Sequence, residues 1–144
     1  MREPGTDATE WVVEDPGLTH LPIGYFGAST GAAAALWAAA DAGDQISAVV
    51  SRGGRPDLAG DRLAEVMAPT QLIVGSLDHV VLDLNRAAAA RLRCETELTV
   101  IEGATHLFEE PGTLLQAAEA ATRWFGRHLD ERSDRPPSRA RDQR

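Results

Sequence analysis

One serine, one aspartate and one histidine stand in turns that follow short apolar segments of this 144-residue chain. Ser29 lies in the pentapeptide Gly-Ala-Ser-Thr-Gly at 27–31, and Asp78 and His106 each come three residues after a glycine. A serine hydroxyl is a poor nucleophile at neutral pH, so it needs a base, and the base needs a group that orients it. We therefore predict that Ser29 attacks a carbonyl, that His106 moves the proton and that Asp78 orients His106.

The Gly-x-Ser-x-Gly pattern is informative because of its setting, between a predicted strand and a predicted helix. A nucleophile on such a turn adopts a strained backbone that lifts its hydroxyl clear of the sheet. We expect Gly27 and Gly31 to allow a close approach of strand and helix. We also expect the N–H of Thr30, at the helix N-terminus, to point toward a developing oxyanion.

Two aspartates compete for the orienting role. Asp78 follows a predicted strand directly, whereas Asp83 is expected inside the next helix. The alternative role of Asp78 is to cap that helix.

Two arginines follow the second predicted strand and have two interpretations. Arg52 and Arg55 either bind a carboxylate of the substrate in bidentate fashion or belong to a solvated loop. In the second case we expect ion pairs with Asp57 or Asp61.

The remaining histidines and the single cysteine do not suggest a metal site. His20 and His128 lie outside the turns that follow strands and are expected at the surface, and Cys94 is expected to be a small residue before the last strand. Four dispersed histidines and one cysteine lack the ligand spacing that is typical of zinc. We predict neither a metal nor a cofactor.

Composition restricts the class of protein. Hydrophobic residues make up 43% of the chain, the net charge is −8, and all fourteen cations are arginines. A negative surface disfavours nucleic acid as a partner. The polar start and the lack of an apolar run of membrane-spanning length predict no membrane contact, and a lone thiol is compatible with the cytoplasm.

Apolar runs alternate with helical patterns along the chain. Strands are predicted at 21–26, 46–50, 70–74 and 98–101, and helices at 30–43, 81–92 and 114–129, with one or two helical turns within 61–67. This alternation predicts the α/β class, with a parallel sheet of about four strands and flanking helices. The nearly continuous apolar strands predict a sheet covered on both faces.

The predicted domain comprises residues 1–129. It opens with a short helical piece within 1–20, and a charged, disordered tail is expected at 130–144. The last helix is expected to bury residues that recur near helical spacing: Leu115, Ala118, Ala121, Trp124 and Phe125.

The segment Gly24–Leu129 resembles the C-terminal half of the α/β-hydrolase fold, most closely the dienelactone-hydrolase-like group. Residues 26–32 resemble its nucleophile turn, 72–78 its acid strand and turn, and 102–108 its histidine turn. Residues 51–56 resemble bacterial members that are fused to, or found beside, a phosphoribosyltransferase. Dienelactone hydrolases carry a cysteine nucleophile where Ser29 stands, and this departure favours a general small-molecule ester or lactone over a dienelactone as substrate.

The fold of that family has more strands than this sequence predicts. Its N-terminal half would hold the loop that donates the second oxyanion N–H, and losing one such donor typically costs about a hundred- to thousandfold in rate. The first strand would be left as an open edge. We expect a truncated gene product, a misassigned start, or a chain that completes its sheet with a partner such as a second copy. The alternative to a serine hydrolase is a non-catalytic half-domain, either a pairing or regulatory module or a remnant.

Overall fold

The computed structural model of the protein describes residues 22–134, with side chains for 22–129. Four parallel strands form one sheet in chain order: β1 (Gly24–Ala28), β2 (Ala48–Arg52), β3 (Thr70–Gly75) and β4 (Thr96–Ile101). They alternate with helices α1 (Gly31–Ala42), α2 (His79–Arg91) and α3 (Thr113–Asp134), and with 3₁₀ segments Gly43–Gln45 and Pro56–Glu65. The predicted α/β class and parallel sheet are confirmed.

The register aligns the carboxyl ends of the strands along one rim. Ala28 pairs with Arg52, Arg52 with Ile73, and Gly75 with Ile101. Residues that follow these strands therefore emerge on the same side of the molecule, where open parallel sheets place their sites.

The sheet has a core on each face. On one face, α1, α2 and the Pro56–Glu65 segment pack on β2 and β3 through buried leucines, and on the other α3 packs on Val50 and Ile73. The inner strands β2 and β3 are covered on both faces, as predicted. The outer strand β1 is not: it pairs with β2 alone among the described strands, and Phe26 is 52% exposed. The prediction that β1 is buried is wrong in this respect.

The buried stripe of α3 differs from the prediction. It consists of Thr113, Ala117, Ala120, Ala121, Trp124 and His128. Leu115 is 63% exposed and Ala118 is exposed, so both were placed wrongly. The helix carries two overlapping apolar stripes, and the one richer in alanine packs closely on the sheet.

Two further expectations, about His128 and about where α3 ends, are wrong. His128 is buried against Trp124, with ring centroids 4.3 Å apart, and is not the surface residue expected. The helix continues to Asp134, five residues into the predicted tail. Residues 1–21 and 135–144, with the helical piece expected near the start and His20, lie outside the described residues.

Candidate active site

Ser29 lies on a strained turn between β1 and α1. Its φ of 50° falls in the left-handed region, which costs a non-glycine residue on the order of 1–3 kcal/mol. Backbone hydrogen bonds hold it there: its N–H donates to the Arg52 carbonyl at 3.3 Å, and its carbonyl accepts from Arg55 at 3.1 Å. Thr30 follows at the N-cap of α1 and is exposed.

The two glycines of the pentapeptide have different roles. A Cβ on Gly27 would lie 2.5 Å from the Gly31 carbonyl oxygen and 2.7 Å from Ala32 Cα, so only glycine fits there. A Cβ on Gly31 would meet nothing within 4 Å. The expectation that both glycines allow the close approach is therefore wrong for Gly31. A side chain at Gly31 would have space, and it is the Gly31 backbone that a Cβ on Gly27 would strike.

The structure brings the three predicted site residues together. Ser29 Oγ lies 3.1 Å from His106 Nε2, and His106 Nδ1 lies 2.8 Å from Asp78 Oδ2. The Asp78 side chain is 13% exposed and that of His106 is 40% exposed. With the imidazole proton on Nδ1, His106 donates to the Asp78 carboxylate and accepts from the Ser29 hydroxyl. This arrangement can draw a proton from Ser29 and hold the resulting imidazolium against a carboxylate.

The geometry also separates the two candidate aspartates. Asp78 occupies the N-cap position of α2, but its side chain makes no capping hydrogen bond and is directed at His106. Asp83 lies within α2, is exposed, and contacts Arg86 at 3.3 Å. Only Asp78 lies within hydrogen-bonding reach of His106.

Two side chains that the sequence did not suggest brace the His106 turn. Ser76 Oγ accepts from the Gly103 N–H at 2.8 Å, which joins the turn after β3 to the turn after β4. Glu110 accepts from the Thr105 N–H at 3.0 Å and from its hydroxyl at 2.6 Å. The hydrogen bonds from Thr105 lower the pKa of Glu110. No pattern in the sequence links Glu110 to Thr105, five residues before it.

Arg55 forms the ion pair that one interpretation predicted. Its Nε and Nη2 contact the two carboxylate oxygens of Asp57 at 3.0 and 2.9 Å. This bidentate hydrogen bonding lowers the pKa of Asp57 and raises that of Arg55. Asp61 pairs instead with Arg91, at 2.8 Å.

Arg52 has a different environment. Its guanidinium carbon lies 5.9 Å from the centre of the Phe26 ring and 5.7 Å from that of Phe108. Within residues 22–129 no carboxylate pairs with it. The charge of Arg52 is thus held by aromatic faces at the end of β2, next to the Ser29 turn.

Cys94 lies just before β4, where it was expected, and its Sγ is 3.7 Å from Thr70 Oγ1. In the described part of the chain no three His, Cys, Asp or Glu side chains cluster as metal ligands would. None of the helices described has the length and hydropathy that crossing a bilayer requires.

Comparison with known proteins finds solved structures with the same fold. A dienelactone hydrolase from Anabaena variabilis is 50% identical, with a TM-score of 0.83 over 86% of this chain and 57% of that one. An esterase domain from Rhodothermus marinus has 16% identity and a TM-score of 0.69, over 85% of this chain and 67% of that chain, which is a likeness of fold. No family model matches the sequence.

Two proteins from strains of Mycobacterium tuberculosis, each provisionally named a phosphoribosyl transferase, are 61% identical over 123 residues. The match covers 85% of this chain but 28% of each relative. The chain thus spans less than a third of these relatives and just over half of the dienelactone hydrolase. The four-stranded parallel sheet and these neighbours show that the chain has part of an α/β-hydrolase fold, and it is similar to a dienelactone hydrolase over 86% of its length.

Proposed function

We propose that the chain carries the active site of a serine hydrolase for small esters or lactones. The observation that carries this proposal is the Ser29–His106–Asp78 relay, with distances of 3.1 and 2.8 Å at the rim of a parallel sheet. The left-handed backbone of Ser29 supports it, because strain of this kind is concentrated at functional sites.

The proposed reaction has two stages. Ser29 Oγ attacks the substrate carbonyl while His106 Nε2 takes its proton, and Asp78 stabilises the imidazolium. The oxyanion is held by the Thr30 N–H at the start of α1. His106 then protonates the departing alkoxide, which in a lactone stays attached to the acyl chain. In the second stage, water activated by His106 hydrolyses the acyl-enzyme.

Arg52 is the proposed contact for a negatively charged group of the substrate. Its guanidinium lacks a carboxylate partner among the described residues and lies between two aromatic rings beside the Ser29 turn. Arg55, the other arginine proposed from the sequence, is already neutralised by Asp57. A substrate would have to displace that carboxylate, so Arg52 is favoured for binding and Arg55 for ordering the loop.

The names of the similar proteins support this proposal to different degrees. The Anabaena variabilis protein is named a dienelactone hydrolase and matches most of this chain, so it supports hydrolysis of an ester bond. The provisional phosphoribosyl transferase name belongs to proteins of which this segment is 28%. The geometry around Ser29 favours acyl transfer to water.

Turnover of chromogenic esters tests the proposal. Wild type, Ser29→Ala and Ser47→Ala are compared on three substrates. These are p-nitrophenyl acetate, a second ester that carries a free carboxylate, and a simple lactone. Ser47 is a buried serine before β2, at the opposite end of the strands, and serves as the matched control. We expect Ser29→Ala to lose about a thousandfold or more in rate, with Ser47→Ala unchanged. If the wild type is inactive on all three substrates, or if Ser29→Ala is no slower than the wild type, the non-catalytic half-domain is favoured.

A further inference from the structure

Asn85 is a fully buried amide in α2 and is not one of the three residues of the proposed site. Its Nδ2 donates to the Gly54 carbonyl at 3.0 Å and to the Val81 carbonyl at 2.8 Å. Its Oδ1 is buried and has no hydrogen-bond partner among the described residues. A buried polar atom without a partner destabilises a fold, so packing alone does not explain an asparagine here.

The Gly54 carbonyl belongs to a turn, 52–55, that is bonded to the nucleophile. Ser29 exchanges backbone hydrogen bonds with both ends of this turn, through the Arg52 carbonyl and the Arg55 N–H. A Cβ on Gly54 would overlap Ser51 Oγ and Ala32 Cβ, so the turn fits tightly against α1. Its position therefore sets the position of the Ser29 backbone.

The same turn lies close to His106. Gly53 has a φ of 54°, and a Cβ added there would lie 3.3 Å from the His106 carbonyl oxygen and 3.7 Å from His106 Cε1. The Gly53 N–H donates to the Ile73 carbonyl of β3 at 2.7 Å. A displacement of this turn would therefore change the space beside His106.

Asn85 joins this turn to the helix that starts at the third site residue. Asp78 is the N-cap of α2, and its carbonyl accepts from the Leu82 N–H at 2.8 Å. We infer that Asn85 is a positioning residue, which fixes α2 and Asp78 relative to the turn that holds Ser29 and His106. This role rests on the proposed serine hydrolase function, and Asn85 itself does not contact substrate.

The test replaces Asn85 with leucine, which is similar in size, and with alanine, which cannot overpack the site. Gln71→Leu is the matched control. Among the described residues, the oxygen of this buried amide also has no partner, and its Nε2 donates to Thr99 Oγ1 alone, at 3.1 Å. The readouts are the second-order rate of Ser29 labelling by a fluorophosphonate, kcat and KM for an ester, and Tm.

We expect the Asn85 variants to label about ten- to hundredfold more slowly, with kcat reduced and KM unchanged. Asn85→Leu removes the unpartnered oxygen but leaves the buried Gly54 carbonyl without its donor, so we expect a small fall in Tm, comparable to that in Gln71→Leu. Gln71→Leu should label at the wild-type rate. Equal labelling of wild type and a folded Asn85 variant would overturn the inference alone. The inference would also be overturned if the labelling rate and Tm fell together in the Asn85 variants and in Gln71→Leu. An unlabelled wild type would overturn the proposed function, and this inference with it.

Discussion

At the scale of the residue, the position of a side chain just after the end of a strand identified the candidate site better than its residue type did. Ser29, Asp78 and His106 each follow a strand, and the parallel sheet brings all three to one rim. Asn85, by contrast, is in the middle of a helix, and its partner Gly54 is 31 residues away in sequence. The sequence has no local pattern for such a contact, because it depends on how α2 packs against a distant turn.

The two glycines beside Ser29 should respond oppositely to alanine. Gly27→Ala sets a Cβ against backbone atoms at 2.5 and 2.7 Å, which cannot rotate away, and should cost about 1–3 kcal/mol of unfolding free energy. Gly31→Ala adds a Cβ in open space on a helix and should be neutral or up to about 1 kcal/mol stabilising. Urea denaturation of both variants measures the difference. Equal destabilisation would contradict the steric role assigned to Gly27.

The two aspartates should differ in their effect on activity. Asp78→Asn should lower kcat on the order of 10⁴-fold, because the amide no longer stabilises the imidazolium or fixes its tautomer. Asp83→Asn, at a side chain that is 78% exposed, should leave kcat unchanged. Steady-state ester hydrolysis by the purified variants decides between them. A larger loss in Asp83→Asn would transfer the orienting role to that residue.

At the scale of the element, the sequence predicted the order and type of strands and helices but not every boundary or face. β2 ends at Arg52 and not at Val50, because the ladder with β1 continues through Ser51 and Arg52. The face that α3 buries was missed because apolar residues mark two stripes of this helix. The contact with the sheet selects one of them, and helical spacing alone does not.

The buried face of α3 leads to a stability prediction. Trp124→Ala removes a large side chain packed on the sheet and its hydrogen bond to the Pro69 carbonyl, and should cost about 3–5 kcal/mol. Leu115→Ala, on the exposed side of the same helix, should change stability by less than about 0.5 kcal/mol. Chemical denaturation of both variants tests which stripe faces the core. A greater loss in Leu115→Ala would restore the original prediction.

The turn that carries His106 should loosen in acid. The pKa of Glu110 is lowered chiefly by the hydrogen bonds from Thr105. A lowered folded-state pKa means that these bonds stabilise the turn above the ordinary glutamate pKa of about 4.3, and that this contribution is lost as the pH falls through the folded value. Glu110→Gln should therefore reduce the acid dependence of Tm in that window. Glu109→Gln, at an exposed neighbour, should leave it as in wild type. Identical profiles for all three proteins would contradict the bracing role of Glu110.

At the scale of the whole molecule, the described sheet has two inner strands that are buried and two outer strands that are not. Phe26 on β1 is half-exposed, and β1 pairs with β2 alone among the described strands. The sequence predicted an open edge there from the resemblance to a larger fold. It predicted burial of β1 from the apolar residues of the strand, and the two expectations conflict. Among residues 22–134 no strand pairs with the outer side of β1, and burial depends on neighbouring strands as well as on residue type.

The central claim is that Ser29 is a nucleophile activated by His106. Its most direct test is intact-mass measurement and peptide mapping of the 144-residue chain after incubation with a fluorophosphonate. We predict one adduct, on the peptide that contains Ser29, and a labelling rate that falls by orders of magnitude in His106→Ala. No adduct, an adduct on another residue, or equal rates with and without the imidazole would contradict the claim.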